Sequence, residues 1–584
     1  MGAPHTVWFF LVGAVLAAVL PLRARKVALP LVTLAAFLSI HWLQEGTYGE
    51  ISYLGFTLVP AVVDPLSKVF LHVFTLMAFI GVIYGLHVED RWQHVSALLY
   101  VAGSAGVTLA GDYLTLFIYW ELMAFASAFL VFLRRRPESV RAGFRYLLVH
   151  TVGGLVLLAG IFLWWLKTGD LSFGRIPPEA AGLAGYLILI GFALNAAVPP
   201  IHAWLPDAYP ESTVMGGAFM CAFTTKTAVY VLARAFPGYE VLAVLGAIMT
   251  LYGVGYAIIE NDGRRILSYH IVSQVGYMVC GVGVGTAMAV NGAVAHAYAH
   301  ILYKALLFMG VGAVLEMAGT CELSKLGGLY KRMPLAMLGT VIGGISISGF
   351  PFTSGFISKS MVIAGAGEAH RLVLMLMLIL ASVGTFLSVG IKLPYFIWFG
   401  KDSGVEAKDP PKNMVVAMGI AAFFCFFLGI YPDYLYKMLP FPVTYHPYSA
   451  YHFSETIQLL GFTGLGFYFL RKKLTPEAKL NLDLDWFYRK GAAVFLRVAR
   501  NPISPINDWV GEIYRTVGMR FALWSAALWS RFDVRAIDGV VDGVAYGVRS
   551  GGEGLRKVQT GQLQQYIAMA VVALFAVLAL VVSY

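Results

Sequence analysis

Glu121, Lys226, Lys304 and Lys359 sit deep inside long apolar stretches of a chain that otherwise keeps charge out of such stretches. A charge near a bilayer midplane costs roughly 2.5–3.5 kcal/mol even on lenient insertion scales. Four such residues, joined by His296 and His300, point to a route for protons or cations through a membrane. Glu121 ends the stretch that begins Gly111-Asp-Tyr. On a helix it lies roughly 13 Å from Asp112, near a bilayer centre. Apolar surroundings favour the neutral acid and a nearby cation favours the carboxylate, so a Glu held between them can take and release protons. The structural alternative is a permanent ion pair between two helices. Lys226, in Phe223-Thr-Thr-Lys-Thr, is about as deep when measured back from Arg234. Lysine suits a switchable site better than arginine because its ammonium can give up a proton when desolvated; snorkelling to an interface is the alternative.

His296, His300 and Lys304 recur every fourth residue. Each step of four advances about 40° around a helix, so the three share one face. Two histidines so spaced can hold a metal. With no Glu between them and no further ligand cluster, the expectation is no metal but a file of hydrogen-bonded water, with imidazoles that donate and accept near neutral pH. Lys359 lies far from either end of its apolar stretch, and Lys392 and His270 are weaker members of the set.

The elements that must position these residues are membrane helices. Of 584 residues 59% are hydrophobic and 13% charged, with a mean hydropathy of +0.74; soluble chains carry about 25% charged residues. Long uniform apolar segments exclude a barrel, which needs short alternating strands. The fold class expected is an all-α polytopic membrane protein of about sixteen spans, from 6–22 to 563–583. Residues 1–94 hold the first helices, 95–400 a core, 401–472 further spans, 473–560 an amphipathic lateral segment and 561–584 a final anchor.

The first apolar segment lacks a basic leader and a convincing cleavage site, so it reads as a retained span. Basic clusters at Arg23–Lys26, Arg134–Arg145, Arg264–Arg265, Lys325–Arg332 and Arg471–Lys473 fall on one side if the spans alternate. That places both termini outside, the periplasm in a bacterial host. The net charge of +10 is this bias, facing anionic lipid, and calls for no nucleic acid. The four cysteines are dispersed, which argues against a disulfide framework, an iron–sulfur cluster or a thiolate zinc site. No nucleotide-binding glycine motif stands in a suitable context.

Prolines interrupt two spans, at Asn195-Ala-Ala-Val-Pro-Pro-Ile-His-Ala-Trp-Leu-Pro and at Ser348-Gly-Phe-Pro-Phe-Thr-Ser-Gly-Phe-Ile-Ser-Lys. Each helix should unwind there, and freed backbone groups at membrane depth need protein or a wet cavity to satisfy them. Simple kinking is the alternative. Paired breaks beside intramembrane polar residues point instead to inverted repeats around a central ion site.

At this point the sequence resembles the antiporter-like membrane subunits of respiratory complex I and of Mrp-type cation/proton antiporters. The resemblance runs over about residues 60–400 and is carried by Asp64-Pro-Leu-Ser, Trp120-Glu121, Pro200-Ile-His-Ala-Trp-Leu-Pro-Asp-Ala, Ser273-Gln-Val-Gly-Tyr, His296 through Phe308, and Ser354-Gly-Phe-Ile-Ser-Lys. It implies two inverted five-helix repeats around a hydrated axis. By analogy Glu121 is the carboxylate of a first half-channel, Lys226 the connecting lysine and Lys359 the terminal lysine, with His296, His300 and Lys304 between them. One departure is large: Asn195 stands where the family usually has a lysine paired to the glutamate. Glu121 would then turn to Lys226 or Arg145, or the first half-channel works differently or not at all.

Residues 473–560 are too polar to span but place Val534, Ile537, Val540, Val541, Val544 and Val548 on one helical face, with Pro502 and Pro505 expected to interrupt the helix upstream. The segment resembles the lateral helix of the largest antiporter-like subunit of complex I; a surface helix binding only lipid is the alternative.

The expected function is a proton-translocating subunit, in a bacterial or archaeal inner membrane, of a complex coupled to NADH/quinone-type electron transfer. It would bind no cofactor itself, and its partners would be other membrane subunits, hydrophilic redox subunits and lipid. The alternatives are an Mrp-type Na+/H+ antiporter subunit, a scaffold, or the proton-conducting partner of a bicarbonate-uptake complex.

Overall fold

A computed structural model describes residues 6–478 and 481–583 and divides at Asp485 into two units. The first unit is built from helices α1 (Thr6–Val19), α2 (Leu22–Ser39), α3 (Pro65–Tyr84), α4 (Arg91–Leu109), α5 (Tyr113–Phe132), α6 (Pro137–Thr168), α7 (Gly182–Asn195), α8 (Trp204–Ala208), α9 (Val214–Met220) and α10 (Thr224–Ala235). It continues through α11 (Glu240–Ile259), α12 (Gly263–Val284), α13 (Ala287–Ala318), α14 (Pro334–Ile347), α15 (Ser354–Glu368), α16 (Leu372–Thr385), α17 (Lys412–Ile430), α18 (Asp433–Tyr436) and α19 (Ala450–Leu470). Two short antiparallel hairpin pairings, Gly46–Tyr48 with Ala61–Val63 and Ile51–Tyr53 with Phe56–Leu58, lie between α2 and α3.

The chain is an integral membrane protein: among the described residues eleven helical segments are long and apolar enough to cross a bilayer, and α1, α7 and α14 are shorter apolar helices. Helices α4 and α19 lie where two further spans were expected but are not among those eleven segments.

Caps start these helices where the sequence supplies them. Asp64 and Ser67 form a reciprocal capping box ahead of Pro65, with both side-chain-to-backbone hydrogen bonds at 2.8 Å. Asp112 accepts from Leu114 N and Thr115 N to start α5, and Asp262 accepts from Arg265 N to start α12. Each of those aspartates also bridges to a later loop, Asp112 with Ser172 and Asp262 with Glu322. Adding 150 to each number of the first bridge gives the second. The same shift carries α6 onto α13: both run 32 residues and both end at a left-handed glycine, Gly169 and Gly319.

Helices α12 and α13 form the centre. Nearly every residue of α12 is buried, including Ser268, His270, Ser273 and Gln274. A helix covered all round has no polar face to show solvent, so its polar residues must find partners inside.

Both expected breaks are present. The first separates α7 from α8, with Ala197 at φ +56°; the second separates α14 from α15, with Gly349 at +77° and Phe352 at +67°. A third break, over Cys221–Phe223 between α9 and α10, has no proline and was not legible in the sequence. After α16 the helix continues as wide π-type turns over Phe386–Lys392 and Tyr395–Phe399.

The second unit, Trp486–Tyr584, takes in most of α20 (Asp485–Val498), then α21 (Ser504–Ile513), α22 (Arg520–Phe532), α23 (Gly539–Val558) and the apolar α24 (Leu563–Val582). The expected interruption at Pro502 and Pro505 does not occur. Pro502 lies in a π-type turn over Ala499–Ile503 and Pro505 directly follows it at the start of α21, where the widened turn leaves room for the rings. Val534, Ile537, Val540, Val541, Val544 and Val548 are all exposed.

Candidate functional site

Lys226, Lys304 and Lys359 are buried, at 0%, 0% and 4% exposure. None has a carboxylate within ion-pair distance among the described residues. Two of them are held by the carbonyls that broken helices set free. Lys226 Nζ donates to Cys221 O at 2.6 Å and to Thr225 Oγ1 at 3.0 Å, so the third break makes its acceptor. Lys359 Nζ donates to Ile347 O, the last residue of α14, at 2.8 Å, and lies 5.3 Å from the Tyr277 ring centroid. Lys304 Nζ has no protein partner.

Imidazoles and small polar side chains fill the space between these lysines. His296 lies 3.1 Å from Ser358 Oγ and 3.2 Å from Gln274 Oε1, and Gln274 reaches Thr385 at 3.3 Å. The His296 and His300 rings are 6.3 Å apart, and both nitrogens of His300 are unpartnered. His270 Nε2 is 2.7 Å from Ser388 Oγ. His300 lies in the field of Lys226, Lys304, His296 and His270, and His296 in that of Lys226 and Lys359. Lys226, His296, His300, Lys304 and Lys359 therefore lie within electrostatic reach of one another, with His270 beside them. Among the described residues no group of three or more His, Cys, Asp or Glu side chains is placed to hold a metal. All four cysteines are buried and free.

Lys392 also lies in the field of His270 and is held by backbone carbonyls. Its Nζ donates to Ile258 O at 2.6 Å and Glu260 O at 2.8 Å, satisfying carbonyls at the end of α11. Beyond the second break a cavity of about 280 Å³ reaches Lys359, lined by Ser360, Ser382, His446, His452 and Glu455 among others.

Glu121 has neither expected cation. Arg145 is committed to Asp207 by two hydrogen bonds, at 2.7 and 2.8 Å, and Lys226 is bonded as above. Glu121 is half-buried, its Oε1 has no partner, and that oxygen rests against the backbone of α6 at Gly154. Asn195 is buried with both amide atoms unpartnered.

Two residues escaped the sequence reading. His150 lies in α6 facing Asn195, at 2% exposure, with neither ring nitrogen in a hydrogen bond of ordinary geometry. It meets the criterion that found His296, an imidazole inside an apolar span, but has no second histidine one turn away to draw attention. Asp483, in the polar stretch after α19, is buried against the first break. It accepts from Tyr269 at 2.6 Å and from Tyr252, with His202 Nε2 at 3.4 Å. Burial alone disfavours its charge, but these groups more than offset that and hold the carboxyl below its ordinary range. Nothing in the local sequence marks it.

Comparisons with known proteins agree with this architecture. Residues 110–388 match the family model described as NADH:quinone oxidoreductase/Mrp antiporter, TM. The chain is 32% identical over 357 residues to NADH-quinone oxidoreductase subunit N of Desulforudis audaxviator, covering 56% of this chain and 70% of that one. It is 26% identical to F(420)H(2) dehydrogenase subunit L of Methanosarcina mazei, covering 89% of this chain and 87% of the relative. Its fold matches a chain of the Mrp complex from Dietzia sp. DQ12-45-1b with a TM-score of 0.68 at 23% identity, over 79% of this chain and 98% of that one. The chain belongs to the NADH:quinone oxidoreductase/Mrp antiporter transmembrane family.

Proposed function

We propose that this chain is a proton-translocating subunit of a multisubunit membrane complex coupled to quinone-linked electron transfer. The observation that carries the proposal is the row of three buried lysines without carboxylate partners, linked by His296 and His300. A lysine fixed permanently as a cation at this depth would call for a counter-ion. One held by a freed carbonyl can exist with or without its extra proton, so protonating one lysine biases the next. The cavity beside Lys359 supports an opening toward the face that carries the loop between α17 and α19.

The repeated features fit two inverted repeats, α4–α10 and α11–α16, within a chain of sixteen spans. Partner subunits also fit the exterior. Glu121 is half-buried, while Ile118 and Phe125, on the same stripe of α5, are exposed; a carboxylate facing lipid there would be costly, and a neighbouring subunit would relieve it.

Replacing Lys359 with Ala should abolish coupled proton movement in proteoliposomes holding the intact complex, with assembly unchanged. Undiminished proton movement would sink the assignment. A second reading, an Mrp-type cation/proton antiporter subunit, is favoured by the fold match to the Mrp complex. Purifying the complex separates the two: hydrophilic iron–sulfur subunits support the redox reading, and small membrane subunits alone support the antiporter.

A further inference from the structure

The proposed row has a gap at its first end. Among the described residues Glu121 forms no ion pair with any of the lysines, and the position facing α6 from the end of α7 is the uncharged Asn195. What lies between is α6. The shift of 150 that carries α6 onto α13 sets His150 on His300, Tyr146 on His296 and Gly154 on Lys304. The face of α13 that joins the lysines of the second half therefore has its counterpart in the first half.

The Glu121 carboxylate lies against Gly154, which is one helical turn, about 6 Å, from His150 on the same side of α6. The His150 ring lies tilted against Tyr146 at 4.2 Å between centroids and faces Asn195. The Tyr146 hydroxyl is bonded to Ser127 at 2.8 Å and lies beside Thr224, next to the Thr225 that holds Lys226. Glu121 Oε1, both nitrogens of His150 and both amide atoms of Asn195 are buried with no hydrogen bond of ordinary geometry among the described residues. Buried polar atoms without a good protein partner are ordinarily completed by water.

We infer that His150 is the proton carrier of the first half, standing between Glu121 and Lys226 where Asn195 supplies no charge. The inference rests on the reading of the chain as a proton-translocating subunit. Glu121 releases its proton through bridging water to one ring nitrogen of His150, leaving a carboxylate and an imidazolium. The imidazolium then passes a proton from its other ring nitrogen toward the Tyr146–Thr224 end, and Glu121 is reprotonated. No redox step is needed. Asn195, as donor or acceptor, orients the ring in both states, and the tyrosine hydroxyl relays toward Lys226.

The test is proton uptake by proteoliposomes holding the intact complex, with His150→Gln and the closer isostere His150→Asn beside Lys359→Ala. Both His150 variants should assemble and lose at least tenfold of the coupled flux. Asn195→Lys added to His150→Gln should recover flux to within threefold of wild type, because it returns a protonatable group to the same space; a packing role for His150 would not be rescued by a lysine on another helix. Full flux in both His150 variants with Lys359→Ala inactive would overturn the inference and leave the functional reading standing. Failure of both variants to assemble, or no recovery with Asn195→Lys, would make His150 a packing residue and overturn the inference too. Full flux in Lys359→Ala would instead remove the functional reading itself.

Discussion

Gly154→Ala changes no charge, yet it should disable the first half of the pathway. A Cβ at position 154 would fall 2.0 Å from Glu121 Oε1 and 3.0 Å from its Cδ, whereas ordinary contact begins near 3.4 Å. The oxygen must therefore retreat by about 1.4 Å from α6. That movement is easy for the far end of a flexible side chain, and alanine favours a helix interior over glycine by about 0.5–1 kcal/mol, so folding and assembly should not suffer. Transfer geometry should suffer, since a misplacement of about 1 Å can cost on the order of 10²-fold in rate. The expected loss of proton flux is about ten- to hundredfold, equivalent to roughly 1.4–2.7 kcal/mol. The neighbouring Gly153→Ala is the control. The atoms nearest its Cβ all belong to the Leu194 side chain, at 3.0, 3.1 and 3.4 Å, and its flux should stay within about threefold of wild type. The assay is dye-quench proton uptake in proteoliposomes of the intact complex, normalised to assembled protein. Wild-type flux in Gly154→Ala would show that the position of the Glu121 carboxylate is irrelevant and would refute its place in the pathway.

Three further outcomes are expected. Lys392→Met should lower thermal stability by about 1–3 kcal/mol, because two carbonyls near the end of α11 lose their donor; proton flux per assembled complex should hardly change, and a selective loss of flux would return Lys392 to the pathway. Ser358→Ala removes one partner of His296 while Gln274 remains, so flux should fall several-fold without being abolished, as measured in the same vesicles. Asp483 has its carboxyl lowered by its partners, so its contribution to holding residues 481–485 is complete above the unfolded carboxyl value, near pH 4, and is lost as pH falls below that. Hydrogen exchange of that segment should rise on acidification in the wild type, and should be raised already at neutral pH in Asp483→Asn.

The sequence alone determined that this is a bundle of membrane helices, because segment length and apolar content follow directly from bilayer thickness. It also picked out Glu121, Lys226, His296, His300, Lys304 and Lys359, because charge and imidazole are conspicuous where burial makes them costly. The two breaks that contain proline were legible for the same local reason: the ring removes a backbone donor. The break at Cys221–Phe223 has no such residue, and only tertiary packing shows that it supplies the carbonyl for Lys226. The same holds for pairing. Arg145 and Lys392 are as charged as any member of the row, yet their partners, Asp207 and the carbonyls near the end of α11, come from elements distant in sequence. His150 and Asp483 were invisible for a related reason. Each matters through what faces it across the fold, and a contact between distant elements leaves no periodic trace in a single sequence.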